Sequence, residues 1–309
     1  MNKSSIIKNT EQFKLDDSGS YDSCVADYHQ CVNRLCEPFV KQMVAIAHLK
    51  QGQRVLDVGT GTGIVANYAA KLLDNSGSVI GIDLSEGMLK TARLNAKNMG
   101  ISNVDFLRMD AEDLDLPTES FDSVISMYAI DHFPNAAQAL GEMHRVLKPE
   151  GHIVISIGSR TPPWGAGRFI AYCVGINRKI KQLFQPHLYA PNFIQSMMNN
   201  HLGHLPSPSH SNWGGGKPEN SLLRIIQETG FHVKDMLWNH NMITMQSTEE
   251  FWRSQTAIVT EVRKRLQNIE PNAKRSFLED FKKITKKALS HGGRLYYCGA
   301  VFMICAIRK

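Results

Sequence analysis

The sequence predicts an α/β protein built on a doubly wound, mostly parallel sheet, and three observations predict it. The apolar run Arg54-Val55-Leu56-Asp57-Val58 leads straight into Gly59-Thr60-Gly61-Thr62-Gly63, which reads as a buried strand entering a glycine turn. A second short run, Val79-Ile80-Gly81-Ile82-Asp83, ends in an acid about 20 residues after those glycines, the spacing of two parallel strands joined by a helix. From Gln53 to Ile157 short apolar runs alternate with helical periodicity, as a parallel sheet with crossover helices requires. Ser85 is a suitable N-cap for the helix through Ala96, with Met88 and Leu89 on its inner face.

The glycines and the acid also point to a ligand. Glycines after a strand let the chain turn sharply and bring bare backbone N–H groups close to a bound molecule. An acid at the tip of the next strand suits the two hydroxyls of a ribose, so an adenosine-containing cofactor is expected. A dinucleotide fingerprint, G-x-G-x-x-G/A, does not fit: the third glycine, Gly63, comes one residue early and Ile64 stands where a small residue is needed. Asp57 would repel a pyrophosphate but can attract an ammonium group. A P-loop is excluded because no Gly-Lys-Ser/Thr follows.

The form D-x-G-x-G-x-G resembles motif I of the class I S-adenosylmethionine-dependent methyltransferases, and the resemblance continues in order along the chain. Val104 to Ala111 looks like the family's third strand and Phe121 to Met127 like its fourth. Arg145 to Ile155 resembles the entry to the fifth, with a helix ending before Pro149 and Gly151 turning the chain. Leu222 to Trp238, centred on Thr229-Gly230-Phe231, looks like the helix and sixth strand, and Tyr296 to Ile307 like the last. The match is strongest from Arg54 to Ile157. It is similar to the small-molecule branch that includes ubiquinone/menaquinone C-methyltransferases, sterol methyltransferases and natural-product methyltransferases. The fold this implies is a Rossmann-like, doubly wound, seven-stranded, mostly parallel sheet with an antiparallel last strand, plus a helical cap and insertions.

The 309 residues suit one large α/β domain with additions. The expected organisation is an N-terminal helical cap over 1–50, a cofactor-binding core over 51–158, a substrate lid over 159–217, and completion of the sheet over 218–309, interrupted by a helical insertion at 248–290. Residues 1–20 are polar and expected to fray, and Tyr21 to His48 has the periodicity of one helix. The 159–217 stretch is rich in aromatic residues, including Trp164, Phe169, Tyr172, Phe184, Tyr189, Phe193 and Trp213, which suits a greasy, lidded pocket.

Composition narrows the class. No run of ~18 apolar residues marks a membrane span, and the N-terminus lacks the apolar run of a secretory signal. The six cysteines show neither a C-x-x-C pair nor zinc spacing, so no metal is expected and reduced thiols in a cytoplasmic protein are the simplest reading. The net charge of +6 is concentrated between Glu261 and Arg294, where ten Lys/Arg face four Asp/Glu. Lys282-Lys283 and Lys286-Lys287 recur at helical spacing. That face is either plainly solvated or a docking surface for an anionic partner or carrier protein. No basic stripe with interleaved aromatics suggests nucleic acid, so a small-molecule substrate is expected.

The resemblance implies a cofactor, S-adenosylmethionine, with S-adenosylhomocysteine as product, and roles for particular residues. Asp57 would sit near the methionine ammonium, and Gly59, Gly61 and Gly63 would admit the methionine and ribose portions. Asp83 would take the ribose hydroxyls, although helix capping explains an acid there too. Leu84 and Met88 would pack on the adenine, Asp110 would accept from its exocyclic amine and Ala111 would donate a backbone N–H. For Asp110 a solvated loop acid is the alternative. Tyr21, Tyr28 and Met127 complete the cofactor set. Tyr21 and Tyr28, spaced by seven, would share one helix face, and core packing accounts for them equally well.

After the fourth strand, Asp131 or His132 is placed to act as a base or to orient substrate, with His210 and His187 as further candidates. A satisfied structural histidine and a helix-capping Asp131 are the alternatives. The activity this implies is methyl transfer to carbon or oxygen of a small, apolar or aromatic metabolite. Two other classes stay open: a biosynthetic enzyme that keeps the cofactor for other chemistry, such as cyclisation, and a non-catalytic binding protein.

Overall fold

The computed structural model of the chain describes residues 3–159, 186–190, 192–203, 218–267 and 269–309. Five strands form the parallel part of the sheet: β1 (Arg54–Val58), β2 (Ser78–Asp83), β3 (Val104–Arg108), β4 (Phe121–Met127) and β5 (Leu147–Gly158). They run in the order β3-β2-β1-β4-β5, so the direction of winding reverses between β1 and β4. Ligands of open α/β sheets bind at the carboxyl ends of the strands beside such a reversal. The glycine turn after β1 lies there.

Strands in such a sheet are buried on both faces, and alternate residues serve different layers. Val55, Val79, Ile125 and Val154 pack towards one layer; Leu56, Ile82, Val124 and Ile153 pack towards the other. Helices α3 (Ile64–Leu73), α4 (Glu86–Asn98) and α5 (Ala136–Val146) connect the strands. Ser85 caps α4 as its sequence predicts, its hydroxyl accepting from the Met88 N–H at 3.1 Å. Between β3 and β4 the strand–helix alternation lapses: the chain turns through Asp110–Asp113, bridged to itself, and Pro117.

The sheet is completed by a long antiparallel ribbon, β7 (Phe231–Met245) and β8 (Leu295–Arg308). The second half of β8 pairs antiparallel with β5, from His152↔Ile307 to Gly158↔Val301. This is the mostly parallel sheet with an antiparallel last strand that the sequence predicts. Two details differ. β7 continues seven residues past Trp238, because its alternating polar and apolar residues are satisfied by pairing with β8 along its whole length. An eighth strand, β6 (Leu188–Ala190), comes from the segment assigned to the lid and pairs parallel with β8 at Leu295–Tyr297. Helices α6 (Asn192–Leu202) and α7 (Pro218–Glu228) follow β6.

Between β7 and β8 lies the helical insertion, made of α8 (Thr248–Ile258), α9 (Thr260–Gln267) and α10 (Pro271–Ser290). On α10, Phe277, Phe281, Thr285 and Ala288 are buried while Lys282, Lys283, Lys286 and Lys287 are exposed. Among the described residues no helix is long and apolar enough to cross a membrane, and no cluster of His, Cys, Asp and Glu could hold a metal ion.

The N-terminal region departs furthest from expectation. Instead of fraying, it forms a helix, α1 (Lys3–Asp22), and a break at Ser23-Cys24 separates it from α2 (Val25–Ile46). α2 is held by apolar burial: Leu35, Phe39, Val40 and Met43 are almost fully buried, each contributing about 1.5–3 kcal/mol. The described side chains of α1 make ionic contacts, Lys14 with Asp110 and Glu112 and Asp17 with Lys264, which periodicity cannot reveal.

Candidate active site

The turn after β1 is fixed by sterics and by Asp83. Gly59 has φ of +71°, and a Cβ there would lie 2.2 Å from the Cβ of Ala129. Only glycine fits this position without displacing the chain after β4. Gly59→Ala is therefore expected to lower the melting temperature measurably, by a strain on the order of 1–3 kcal/mol. An unchanged transition in calorimetry would show that the Ala129 segment yields. The Gly61 N–H donates to Asp83 Oδ2 at 2.9 Å, and the Ser85 N–H donates to Oδ1 at 2.9 Å. Asp83 thus ties the glycine turn to the end of β2, and each oxygen keeps acceptor capacity. Burial pushes its carboxyl above the usual carboxylate range, against the pull of those bonds. Gly63 packs α3 onto α4 and β3, its missing Cβ leaving room for Ala92 and Phe106 at 3.0 Å.

Asp57 is buried beneath the turn. Its Oδ2 accepts from the Thr60 hydroxyl at 2.7 Å and the Ala66 N–H at 3.1 Å, while its Oδ1 has no partner. Burial pushes this carboxyl up to about 7 despite those bonds. An unpartnered, buried carboxylate oxygen on a cavity wall calls for a cationic group.

Two cavities meet over this turn. The smaller, about 110 Å³, is lined by Asp83, Leu84, Met88, Asp110, Ala111 and Met127, with Lys14, Asp17 and Ser18 of α1 across its mouth. The larger, about 630 Å³, holds Asp57 and Thr60 at one end. It runs past Met127 and Tyr128 to Val32, Leu35 and Cys36 of α2, Tyr189 and Ala190 of β6, and Trp238, Tyr297 and Ala300 of the ribbon. Tyr21, Tyr28, Gly59, Gly61, Met127, Tyr128 and His132 line both. Tyr21 and Tyr28 do meet, edge to face with centroids 5.5 Å apart, but from separate helices, since the break at Ser23-Cys24 intervenes.

The chain after β4 places His132 at the junction of the cavities, on a single 3-10 turn, Ile130–His132. Its Nδ1 lies 2.8 Å from Asp17 Oδ2 and its Nε2 3.3 Å from the Tyr21 hydroxyl. Burial works to lower the basicity of His132, but the Asp17 bond and charge, with Asp131, outweigh it and raise the imidazole above its ordinary value. Asp131 lines the larger cavity, and restricted hydration there pushes it up to about 6. It does not cap α5; Asn135 does, accepting from the Gln138 N–H at 3.1 Å. Asp110 accepts from Lys14 Nζ at 2.7 Å and from the Glu112 N–H at 2.9 Å. His187 accepts at Nδ1 from the Arg294 N–H at the β6–β8 junction. His210, Trp164, Phe169, Tyr172, Phe184 and Trp213 lie outside the described residues.

Sequence reading missed Asp17, Lys14, Tyr128 and the ribbon residues Trp238 and Tyr297. Tyr128 adopts φ of 57°, and its hydroxyl donates to the Ala300 carbonyl at 3.3 Å, bridging the end of β4 to β8. No local pattern announces any of these positions; they are brought in by tertiary packing.

The chain is similar to known methyltransferases. A family model described as a methyltransferase domain matches residues 49–182. Aklanonic acid methyltransferase DauC of Streptomyces sp. strain C5 is 32% identical over 51% of this chain and 70% of its own length. The chain belongs to the S-adenosylmethionine-dependent methyltransferases. A ubiquinone/menaquinone biosynthesis C-methyltransferase, UbiE, of Xanthomonas campestris pv. campestris is 29% identical over 63% of this chain and 74% of its own length. The fold is shared with Haemonchus contortus phosphoethanolamine N-methyltransferase 2, solved in complex with phosphomonomethylethanolamine and S-adenosylhomocysteine. There the TM-score is 0.51 at 19% identity, over 96% of this chain and 60% of that one.

The cofactor of this methyltransferase is S-adenosylmethionine. The donor set fits it: an unpartnered buried carboxylate oxygen on Asp57 for the ammonium, and spare acceptor capacity on Asp83. Because an ammonium favours ionised Asp57, binding is expected to release a proton between about pH 4 and 7, the span between the ordinary carboxylate value and that of buried Asp57. Calorimetry in two buffers of different ionisation enthalpy reads that release, and Asp57→Asn should abolish it. Equal release by wild type and variant would assign the proton elsewhere.

Proposed function

We propose that the chain transfers the methyl group of S-adenosylmethionine to a carbon or oxygen atom of a small, apolar or aromatic acceptor. The observation that carries this reading is the 630 Å³ cavity, walled by Tyr128, Tyr189, Trp238 and Tyr297, which meets the glycine-turn subsite at His132. Pockets for small molecules are commonly of this size, apolar, with a few convergent polar groups.

In this reading Asp57 holds the ammonium, and Gly59 and Gly61 admit the backbone of the cofactor. Asp83 takes the ribose hydroxyls, Leu84, Met88 and Met127 pack against its apolar surfaces, and Asp110 and Ala111 meet the adenine. Tyr21 and Tyr28 close the site from α1 and α2, as parts of a cap over residues 1–50. The bound cofactor supplies an activated methyl group whose leaving thioether is neutral, so the protein has little charge to stabilise there. Its remaining tasks are alignment and proton removal. His132 Nε2, at the junction of the two cavities, takes the acceptor's proton, and Asp131 orients the acceptor. A cytoplasmic setting is part of this reading, supported by cysteine spacing with neither a C-x-x-C pair nor a zinc pattern.

The test is formation of S-adenosylhomocysteine with a panel of phenolic and quinol-type acceptors set against small aliphatic amines. Turnover confined to the amines would overturn the acceptor class.

A further inference from the structure

Helix α1 carries a carboxylate to His132 from 115 residues away in sequence. Asp17 is buried, 7% exposed, and both of its oxygens are engaged: Oδ2 with His132 Nδ1 at 2.8 Å, Oδ1 with Lys264 Nζ of α9 at 2.6 Å. An imidazole bonded to a carboxylate through Nδ1 carries its proton there, which leaves the Nε2 lone pair as the acceptor. The surroundings of Nε2 agree. The Tyr21 hydroxyl lies 3.3 Å from it and 2.9 Å from Thr260 Oγ1, so Tyr21 can donate to Nε2 or turn its proton to Thr260, which leaves the Nε2 lone pair for an acceptor.

The same helix spans the adenosine subsite. Lys14, one turn before Asp17, donates to Asp110 at 2.7 Å and to Glu112 at 2.6 Å. Asp22, one turn after Ser18, accepts from the Ser85 hydroxyl and from the Gly87 N–H at the start of α4. Positions three apart on a helix share a face, so Lys14 and Asp17 reach their partners in the same docked position. Among the described side chains of α1, these ionic and hydrogen-bonding contacts stand beside the packing of Tyr21 on Tyr28 and Arg263.

We infer that Asp17 is the positioning residue for His132: it fixes the Nδ1–H tautomer and the aim of Nε2, and because it rides on α1, it does so only while that helix lies across the cofactor subsite. The inference rests on the role proposed for His132.

The charges around the imidazole give opposite signs to two variants. Facing it are Asp17 and Tyr21 from α1, Lys264 from α9, Asp131 from its own turn and Asp83 from the end of β2; Arg263 lies beyond Tyr21, 4.2 Å from that ring. Asp17 and Asp131 favour the imidazolium, whereas Lys264 and burial oppose it. Asp17→Asn should therefore lower the titration midpoint of His132, and Lys264→Met should raise it.

The experiment is an NMR titration of the full-length protein with ring-labelled histidine, the His132 resonance being assigned by its loss in His132→Gln. In wild type the neutral ring should be the Nδ1–H tautomer. In Asp17→Asn the midpoint should fall and the two tautomers should mix, with kcat reduced by about 10–10⁴-fold, the upper end being the cost of a wrong tautomer in a His–Asp pair. The acidic limb of the kcat–pH profile should move in the same direction as the midpoint in each variant. A midpoint and tautomer unmoved in both variants overturn the inference, and Lys264→Met keeps it testable should Asp17→Asn fail to fold. Undiminished turnover in His132→Ala would instead overturn the base assignment, which the titration does not use.

Discussion

Replacing His132 with alanine is expected to lower turnover by about 10²–10⁴-fold, the usual cost of losing a general base, while cofactor affinity changes little. His132 stands where the two cavities meet, so a group at its Nε2 can touch an acceptor while the cofactor lies on the other side. Its raised basicity suits proton removal near neutral pH, and the base form is the neutral ring, so activity should rise with pH through a midpoint above 6.5. Asp131→Asn serves as the comparison. Asp131 is pushed up to about 6 and lines only the larger cavity, so its loss should act on acceptor binding more than on proton removal. Single-turnover rates with saturating cofactor separate the two. Near-full turnover in His132→Ala would mean that the enzyme works by alignment alone or that its base lies elsewhere.

The second large effect is expected at Asp83. Asp83→Ala should weaken cofactor binding by about 10²–10⁴-fold, since the proposed role gives its carboxylate two charge-assisted hydrogen bonds to the ribose, roughly 1.5–3 kcal/mol each. The variant also releases the Gly61 and Ser85 N–H groups, so the glycine turn loses its tie to β2. Stability should change far less than affinity. A carboxyl held above the ordinary range in the folded chain favours folding less once ionised, so at neutral pH its removal relieves a desolvation cost as it breaks two bonds. Calorimetric Kd and melting temperature on the same preparation decide the matter; an unchanged Kd would show that the ribose is held by other groups.

The strands around the glycine turn were legible because their signals are local. Each apolar run is buried on both faces, and Ser85 caps its helix through a bond three residues away. The placement of Asp57, Asp83 and Asp110 towards the carboxyl side of the sheet follows from the strands that carry or precede them, while their roles stand as proposed. What was not legible depends on contacts between distant segments. Lys14 and Asp17 sit in a polar stretch whose partners lie 96 to 247 residues on. Ionic contacts leave no hydrophobic period in the sequence, so a polar stretch read as frayed turns out to cover the site. Gly63 shows the converse limit: the motif marks a glycine without saying whether it makes room for a ligand or for a neighbouring helix.

The β7–β8 ribbon has a consequence for how new acceptors are acquired. Only the second half of β8 is locked against β5; the first half runs on beyond that edge beside β6, and His240, Tyr297 and Ala300 line one wall of the cavity from this part of the ribbon, with Trp238 at its base opposite Phe302. Backbone pairing sets the position of that wall whatever side chains it carries. Substitutions there can therefore recut the shape of the acceptor chamber without disturbing Asp57, Asp83 or the glycine turn. The donor half is a fixed chassis and the ribbon an interchangeable mould, which makes its cavity-facing positions the first to randomise in a search for altered acceptor range.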